Sequence, residues 1–69
     1  MTTNVRVNGA SRHVEEGMRL GALVESVAGG ATDGVAVAVN GVVVPRATWK
    51  EREVHNDDDI EIVRAVQGG

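Results

Sequence analysis

Residues 35–45 have the sequence VAVAVNGVVVP, which predicts two strands joined by a tight turn. Residues 35–39 are apolar at every position, so we expect a strand that is covered at least partly on both sides. Asn40-Gly41 is a strong hairpin signal, because both residues tolerate a positive φ. Pro45 ends the return strand, since proline has no N–H to donate to the ladder.

The same turn signal occurs near the start of the chain. Residues 4–7 alternate polar and apolar side chains, which is the period of a half-buried strand. Asn8-Gly9 follows directly and predicts another hairpin, with a return strand over residues 11–14.

Between the two hairpins the apolar period changes to that of a helix. Four apolar residues are spaced i, i+3, i+4 and i+7, which places them on one helix face: Leu20, Leu23, Val24 and Val27. Gly29-Gly30 predicts the helix stop. Gly21 lies inside the helix, where glycine costs about 1 kcal/mol relative to alanine, and we interpret it as allowing close approach to a sheet.

The rest of the chain predicts a connector and one more strand. Residues 46–53 form the connector, with a short helical turn around Trp49, and residues 56–59 form a turn. Residues 60–66 are the predicted last strand. About five strands and one helix indicate an α+β fold, in which a single sheet carries the helix across one face.

The composition indicates one small domain over residues 1–69, with 42% hydrophobic residues. The net charge of −3 and the single aromatic residue, Trp49, argue against a nucleic-acid partner, because phosphate binders are basic and single-strand binders use aromatic stacking. The longest apolar run is too short to cross a bilayer, and residues 1–4 do not begin a signal peptide. We therefore expect a cytoplasmic protein with no membrane or nucleic-acid partner.

No acidic or histidine cluster has the spacing of a metal or catalytic site. Residues 57–59 are three consecutive aspartates, which lack the alternating carboxylates of a calcium loop and are typical of a solvated turn. His13 and His55 occupy no spaced motif, and we expect them at surface or strand-edge positions. The glycines near residue 30 follow a helix and lack the Lys-Ser/Thr of a P-loop. We expect no metal site, no bound cofactor and no catalytic residue.

The Gly68-Gly69 pair that ends the sequence is the remaining candidate. A terminal glycine pair alone is a weak signal, because chain ends fray. Here the predicted last strand runs almost into the pair, and residues 66–69 would span roughly 13 Å at about 3.3 Å each. Because glycine has no Cβ, such a tail could thread a narrow channel into another protein's active site. We expect a flexible tail at about residues 66–69.

A terminal carboxylate also suits sulfur transfer once it is activated. The free carboxylate is a poor electrophile because its charge is delocalised, whereas an attached AMP supplies a leaving group that a sulfur nucleophile can displace. The chain contains no cysteine and cannot hold sulfur as a persulfide. Any sulfur that it carries must therefore be bound to another group.

The segment from Val39 to Arg46, VNGVVVPR, with Trp49 three residues later, resembles the ThiS family of sulfur carriers in thiamin thiazole biosynthesis. The acidic turn, the last strand with its isoleucines and the Gly68-Gly69 end complete the resemblance. It implies a ubiquitin-like β-grasp fold, in which the first and last strands lie side by side and parallel in a mixed sheet.

The resemblance also implies a function and a set of partners. A ThiF-type adenylating enzyme would use ATP to activate the carboxylate of Gly69, and a sulfur-donating protein would supply cysteine-derived sulfur to form a thiocarboxylate. A ThiG-type thiazole synthase would then take the sulfur. Gly68 matches the narrow penultimate position, and Gln67 and Val66 correspond to the remainder of the tail.

Three other readings of the sequence stay open at this point. A MoaD-type carrier for molybdopterin synthesis would share the carboxyl chemistry but serve another acceptor. A ubiquitin-like modifier would form isopeptide bonds to lysines. A β-grasp interaction module would have a Gly-Gly end of no chemical significance.

Overall fold

The structure is a computed structural model that describes residues 1–65, and over those residues the chain forms a five-stranded mixed sheet, one α-helix and one short 3₁₀ helix. The elements in chain order are β1 (Thr2–Val7), β2 (Ala10–Glu15), α1 (Leu20–Ala28), β3 (Val35–Val39), β4 (Val42–Val43), the 3₁₀ helix (Arg46–Thr48) and β5 (Asp59–Arg64). The strand order is β2-β1-β5-β3-β4, with β1 and β5 parallel and the other neighbours antiparallel. The α+β prediction and the parallel pairing of the first and last strands are confirmed.

Both predicted hairpin turns are confirmed by their backbone angles. The φ angles are 51° at Asn8 and 87° at Gly9, and 53° at Asn40 and 82° at Gly41. Positive φ at both central residues is the geometry whose twist matches that of the two strands it joins. These turns fix the register of both hairpins, because a two-residue loop forces the residues on either side of it to pair with each other.

The helix packs its apolar face into the core as the spacing predicts. Leu20, Leu23 and Val24 are buried, and the core that they join is otherwise made mainly of valines from the strands. Gly29 ends the helix in the left-handed conformation, with φ 75°, which confirms the predicted stop. Burying a side chain of this size contributes about 1.5–3 kcal/mol relative to leaving it exposed.

The prediction that β3 is covered at least partly on both sides is wrong at Ala36. Val35, Val37 and Val39 are buried, whereas Ala36 is exposed and Ala38 is half-buried. Alternate residues of a strand point to opposite faces of the sheet, and the helix covers only one of those faces. The apolar run therefore reflects one buried face and one bare face lined by small side chains.

The last strand is shorter at its end than the sequence predicts. It begins at Asp59 and ends at Arg64, which pairs with Val35, the first residue of β3. Ala65 follows outside the strand because β3 offers no further residue to pair with it. The rest of the predicted strand, Val66, lies outside the described residues.

The Asn8 side chain extends the pairing between β1 and β5. Its Oδ1 accepts the Ile62 N–H at 2.8 Å, and its Nδ2 donates to the Ile62 carbonyl at 3.2 Å. The Asn8 backbone N–H also donates to the Ile60 carbonyl at 2.9 Å. An amide side chain carries the same donor and acceptor as a peptide group, so Asn8 serves β5 as one more ladder residue.

Asn40 performs the matching role at the start of β5. Its Oδ1 accepts the Asp59 N–H at 2.9 Å, and its Nδ2 donates to a carboxylate oxygen of Asp58 at 3.0 Å. The other Asp58 oxygen accepts the His55 N–H at 2.9 Å. The acidic run does contain a turn, with Asp57 at φ 71°, but Asp58 is buried and its carboxylate ties the turn to the hairpin. The interpretation of all three aspartates as solvated is wrong at Asp58.

Gly21 approaches the connector and not the sheet, so our interpretation of this residue is wrong. Its N–H donates to the Trp49 carbonyl at 3.0 Å. A Cβ added at Gly21 would lie 3.5 Å from both the Lys50 nitrogen and the Trp49 carbonyl carbon, which is ordinary van der Waals contact. The helix therefore has room for a methyl group at this position.

We predict that Asn8→Gly lowers the free energy of unfolding by about 1–2 kcal/mol, because it removes two hydrogen bonds worth about 0.5–1.5 kcal/mol each. Glycine keeps the positive φ accessible, so the turn itself is preserved. Urea unfolding followed by fluorescence of the single tryptophan, Trp49, measures the change. Asp57→Gly is the matched control at another positive φ, and an equal loss in both variants would assign the effect to glycine entropy.

We predict that Gly21→Ala raises the free energy of unfolding by about 0.5 kcal/mol, because alanine restricts the unfolded chain and fits the space in the helix. The same urea titration measures this effect. Gly17→Ala is the control. A Cβ at Gly17 would meet nothing within 4 Å, but φ is +88°, so we expect a loss of about 1 kcal/mol. Destabilisation by Gly21→Ala would show that the connector cannot accept the methyl group.

Candidate functional site

The four residues predicted as the site, Val66, Gln67, Gly68 and Gly69, lie outside the described residues. The structure describes the place from which they follow, at the C-terminal end of β5. We call Arg64 and Ala65 the tail root. The tail root lies beside β3, at the end of the sheet where the helix terminates, because Arg64 pairs with Val35.

The tail root is bonded to residues 29–34, which we call the α1–β3 loop. The Ala65 N–H donates to the Gly34 carbonyl at 2.7 Å. The Arg64 guanidinium donates to three backbone carbonyls, at 2.7 Å for Ala31 and at 3.3 Å for both Ala28 and Asp33. Because Ala28 is the last residue of α1, this cation lies at the negative end of the helix dipole.

A second arginine holds the α1–β3 loop from the connector. The guanidinium of Arg46 donates to the Thr32 hydroxyl at 3.0 Å and to the Thr32 carbonyl. The same guanidinium stacks 4.7 Å from the centre of the Trp49 ring, a cation–π arrangement. The loop is therefore bonded both to the connector and to the tail root.

Trp49 anchors that connector in the core. Its side chain is 5% exposed, and its indole N–H donates to the Val44 carbonyl at 2.9 Å. The 3₁₀ helix Arg46–Thr48 follows Pro45 and is capped by Trp49, which confirms the predicted helical turn. The Val-Pro-Arg and Trp segment thus has a structural role, because it places Arg46 over the ring and against the loop.

The bare face of the sheet carries apolar side chains next to the tail root. Val63 is 60% exposed and faces Ala36 across the β3–β5 pair, while Val43 is 72% exposed and faces Ala38. We call these four residues the apolar strip. Sequence reasoning missed the strip because a run of valines and alanines predicts burial until the coverage of the sheet is known.

Sequence reasoning also missed the role of Arg64. The sequence placed Arg64 inside the predicted strand of residues 60–66, and the three carbonyls that it reaches lie more than 30 residues earlier in the chain. Nothing in local periodicity reports such a contact.

The histidines occupy exposed positions, as predicted. His13 lies on the edge strand β2 opposite Asn4, and His55 precedes the acidic turn. Within residues 1–65, no three His, Cys, Asp or Glu side chains are grouped so that they could hold a metal ion. In the same part of the chain, no helix is long and apolar enough to span a membrane.

The fold defines the class of protein. The crystal structure of the thiamine biosynthesis protein ThiS from Geobacter metallireducens superposes with a TM-score of 0.80 and 26% sequence identity, covering 97% of this chain and 100% of that chain. The chain has the ubiquitin-like β-grasp fold, with its mixed five-stranded sheet and single helix over the described residues.

The sequence comparison gives the family. The sequence model of the ThiS family matches residues 5–69, so the chain belongs to the ThiS family. No curated protein sequence matches the chain closely enough to add a relative. ThiS-family proteins are small sulfur carriers rather than enzymes, and membership supports a carrier role in thiamin biosynthesis.

We predict that Trp49→Phe lowers the free energy of unfolding by about 1–3 kcal/mol, because it leaves the buried Val44 carbonyl without its donor. Urea unfolding followed by far-UV circular dichroism measures the change. Arg46→Ala is the comparison, because it removes the ring stack and the two hydrogen bonds to Thr32 while leaving the indole hydrogen bond in place. We expect a smaller loss, of about 0.5–1 kcal/mol, at this exposed site. A loss in Trp49→Phe below about 0.5 kcal/mol would contradict the role assigned to the indole hydrogen bond.

Proposed function

We propose that this protein carries sulfur on the carboxyl group of Gly69 and delivers it to thiazole synthesis. The match of the ThiS family over residues 5–69, which includes the terminal glycine pair, is the observation that supports this proposal most strongly. In this proposal residues 1–65 form the body that partner enzymes recognise. Residues 66–69 would act as the tail of the same single domain and enter the partner's active site.

The proposed chemistry has two steps. First, a carboxylate oxygen of Gly69 attacks the α-phosphorus of ATP in the active site of a ThiF-type enzyme, which forms an acyl-adenylate and releases pyrophosphate. A sulfide equivalent, derived from cysteine and delivered by a sulfur-donating protein, then attacks the carbonyl carbon. AMP leaves with the electron pair of the C–O bond, and a thiocarboxylate remains on Gly69.

The proposed carrier contributes placement and not catalysis. ATP binds to the activating partner, and the carrier needs no cofactor of its own. The absence of cysteine from the sequence agrees with this scheme, because the sulfur is held by the terminal carbonyl. Gly68 would pass the narrowest part of the partner's channel, since a residue without a Cβ presents the smallest cross-section. Gln67 and Val66 would line its entrance.

The apolar strip offers a surface against which a partner could hold the carrier. Val63 lies one residue before the tail root, so an enzyme that binds the strip also brings the tail to its active site. Exposed apolar patches on small proteins commonly mark interaction sites. A ThiF-type enzyme and a ThiG-type thiazole synthase would use the strip in turn and not together.

The ThiS family match favours the thiamin pathway over a MoaD-type role in molybdopterin synthesis, which would use the same carboxyl chemistry. The protein that accepts the sulfur distinguishes the thiamin role from the molybdopterin role. The thiocarboxylate form should support thiazole formation by a ThiG-type synthase, and it should fail to support molybdopterin formation by a molybdopterin synthase subunit.

We predict that incubation with a ThiF-type enzyme, ATP and a sulfur source increases the intact mass by the difference between sulfur and oxygen. The reason is the replacement of one carboxylate oxygen. Intact-protein mass spectrometry measures the change. An unchanged mass, with an enzyme shown to be active on its own carrier, would contradict the proposal.

Two variants control this experiment. Deletion of Gly69 withdraws the carboxylate by about 3.3 Å, and addition of one alanine after Gly69 displaces it outward by a similar length. Both keep a terminal carboxylate, and both should retain the native circular dichroism spectrum while losing the mass increase. Sulfur transfer to either variant at the normal rate would show that the position of the carboxyl group is not recognised.

A further inference from the structure

We propose that Arg64 is a positioning residue that fixes the direction in which the chain leaves β5 towards the reacting carboxyl group. The inference rests on the proposed function, because a direction matters only if the tail enters a partner's active site. The observations that carry it are the three carbonyls bound by Arg64 and the limited pairing of the end of β5.

The end of β5 has fewer neighbours than its start. β1 pairs with β5 at Asp59 and Ile60, and the Asn8 side chain extends that edge to Ile62. Beyond Ile62, the described backbone pairing of β5 is with β3 and the α1–β3 loop. A strand held on one edge can twist about that edge, so the tail root needs another restraint.

Arg64 supplies that restraint through the α1–β3 loop. Its Nη2 donates to Ala31 and Ala28 carbonyls and its Nη1 to the Asp33 carbonyl. The planar guanidinium holds several acceptors in a fixed arrangement, which an ammonium on a flexible stem does not. The Gly34 carbonyl that accepts the Ala65 N–H belongs to the same loop. Arg64 therefore fixes the end of β5. It also fixes the loop whose Gly34 carbonyl accepts the N–H of the next residue, Ala65.

The loop can serve as a support because it is fixed elsewhere. Arg46 binds Thr32 and stacks on the buried Trp49. The restraint on the tail root thus continues through the loop to the core. If the four tail residues are fully extended they span roughly 13 Å, so a small change in direction at Ala65 would displace their far end by several ångströms.

Preorganisation of the tail root predicts that loss of Arg64 changes the KM of adenylation and not its kcat. A tail whose root is already oriented loses less conformational freedom when a partner binds it. Once it is bound, the partner holds the tail in the same way in both proteins. Loss of Arg64 should therefore raise the KM of the adenylating enzyme for the carrier about tenfold, as expected from ordering about one more residue, and should leave kcat within about twofold.

The first test needs no partner. Amide hydrogen exchange at Ala65 is measured by NMR in the full chain and in Arg64→Ala, and we expect exchange at least about tenfold faster in the variant. Arg12→Ala is the matched control, since it removes an exposed arginine that joins β2 to the helix residue Ser26. It should leave Ala65 exchange unchanged. Equal exchange in Arg64→Ala and the unaltered protein would overturn the proposal.

The second test separates positioning from a direct charge contact. Adenylation is followed as pyrophosphate release over a range of carrier concentrations, with the unaltered protein, Arg64→Ala, Arg64→Lys and Arg12→Ala. We expect a raised KM for both Arg64 variants, because lysine keeps the charge but cannot reach three carbonyls in the same plane. A normal KM for Arg64→Lys would overturn the proposal and indicate an ion pair with the partner.

The two tests distinguish failure of this inference from failure of the proposed function. If the unaltered protein is not adenylated, the proposed function is wrong, while the exchange measurement still decides whether Arg64 orders the tail root. If Arg64→Ala does not fold by circular dichroism, Arg64→Gln keeps part of the aliphatic stem and takes its place in both tests, with the same expected direction.

Discussion

The placement of β5 between β1 and β3 is the constraint on which the rest of the structure depends. This strand comes last in the chain, so the sheet is complete only when its final segment enters the centre. Two asparagine side chains secure it by pairing with its backbone, Asn40 at Asp59 and Asn8 at Ile62, and Asp58 joins Asn40 to the acidic turn. The hairpin turns therefore do more than reverse the chain, since each supplies a side chain that holds the central strand.

A central last strand also suits a protein whose proposed reactive group follows it. The core and the β1 pairing hold the start of β5 firmly, while the α1–β3 loop supports its end through Arg64. The Val-Pro-Arg and Trp segment joins this arrangement through Arg46, which binds the same loop and stacks on the buried ring. A segment far from the tail in sequence thus connects to the tail root through hydrogen bonds, which gives the family motif a physical meaning beyond its pattern.

The sequence predicted the elements well where the signal was local. The Asn-Gly turns, the amphipathic helix and its glycine stop each follow from the preferences of a few neighbouring residues. The errors share a different cause. The exposure of Ala36, the burial of Asp58 and the approach of Gly21 to the connector all depend on residues distant in the chain. Burial of a residue is a property of its neighbours in space, and local periodicity reports only which residues share a face.

By itself the sequence determined the fold class, the order of elements and, through resemblance, the family with its Gly68-Gly69 end. These follow from short-range backbone preferences and from patterns that recur in related chains. Only the tertiary structure decided that the two asparagines bind β5, that one sheet face stays bare beside the tail root, and that Arg64 and Arg46 hold one loop. The physical reason is that hydrogen-bond partners separated by 14 to 54 residues are chosen by the packing of the sheet and helix. No local preference encodes that choice.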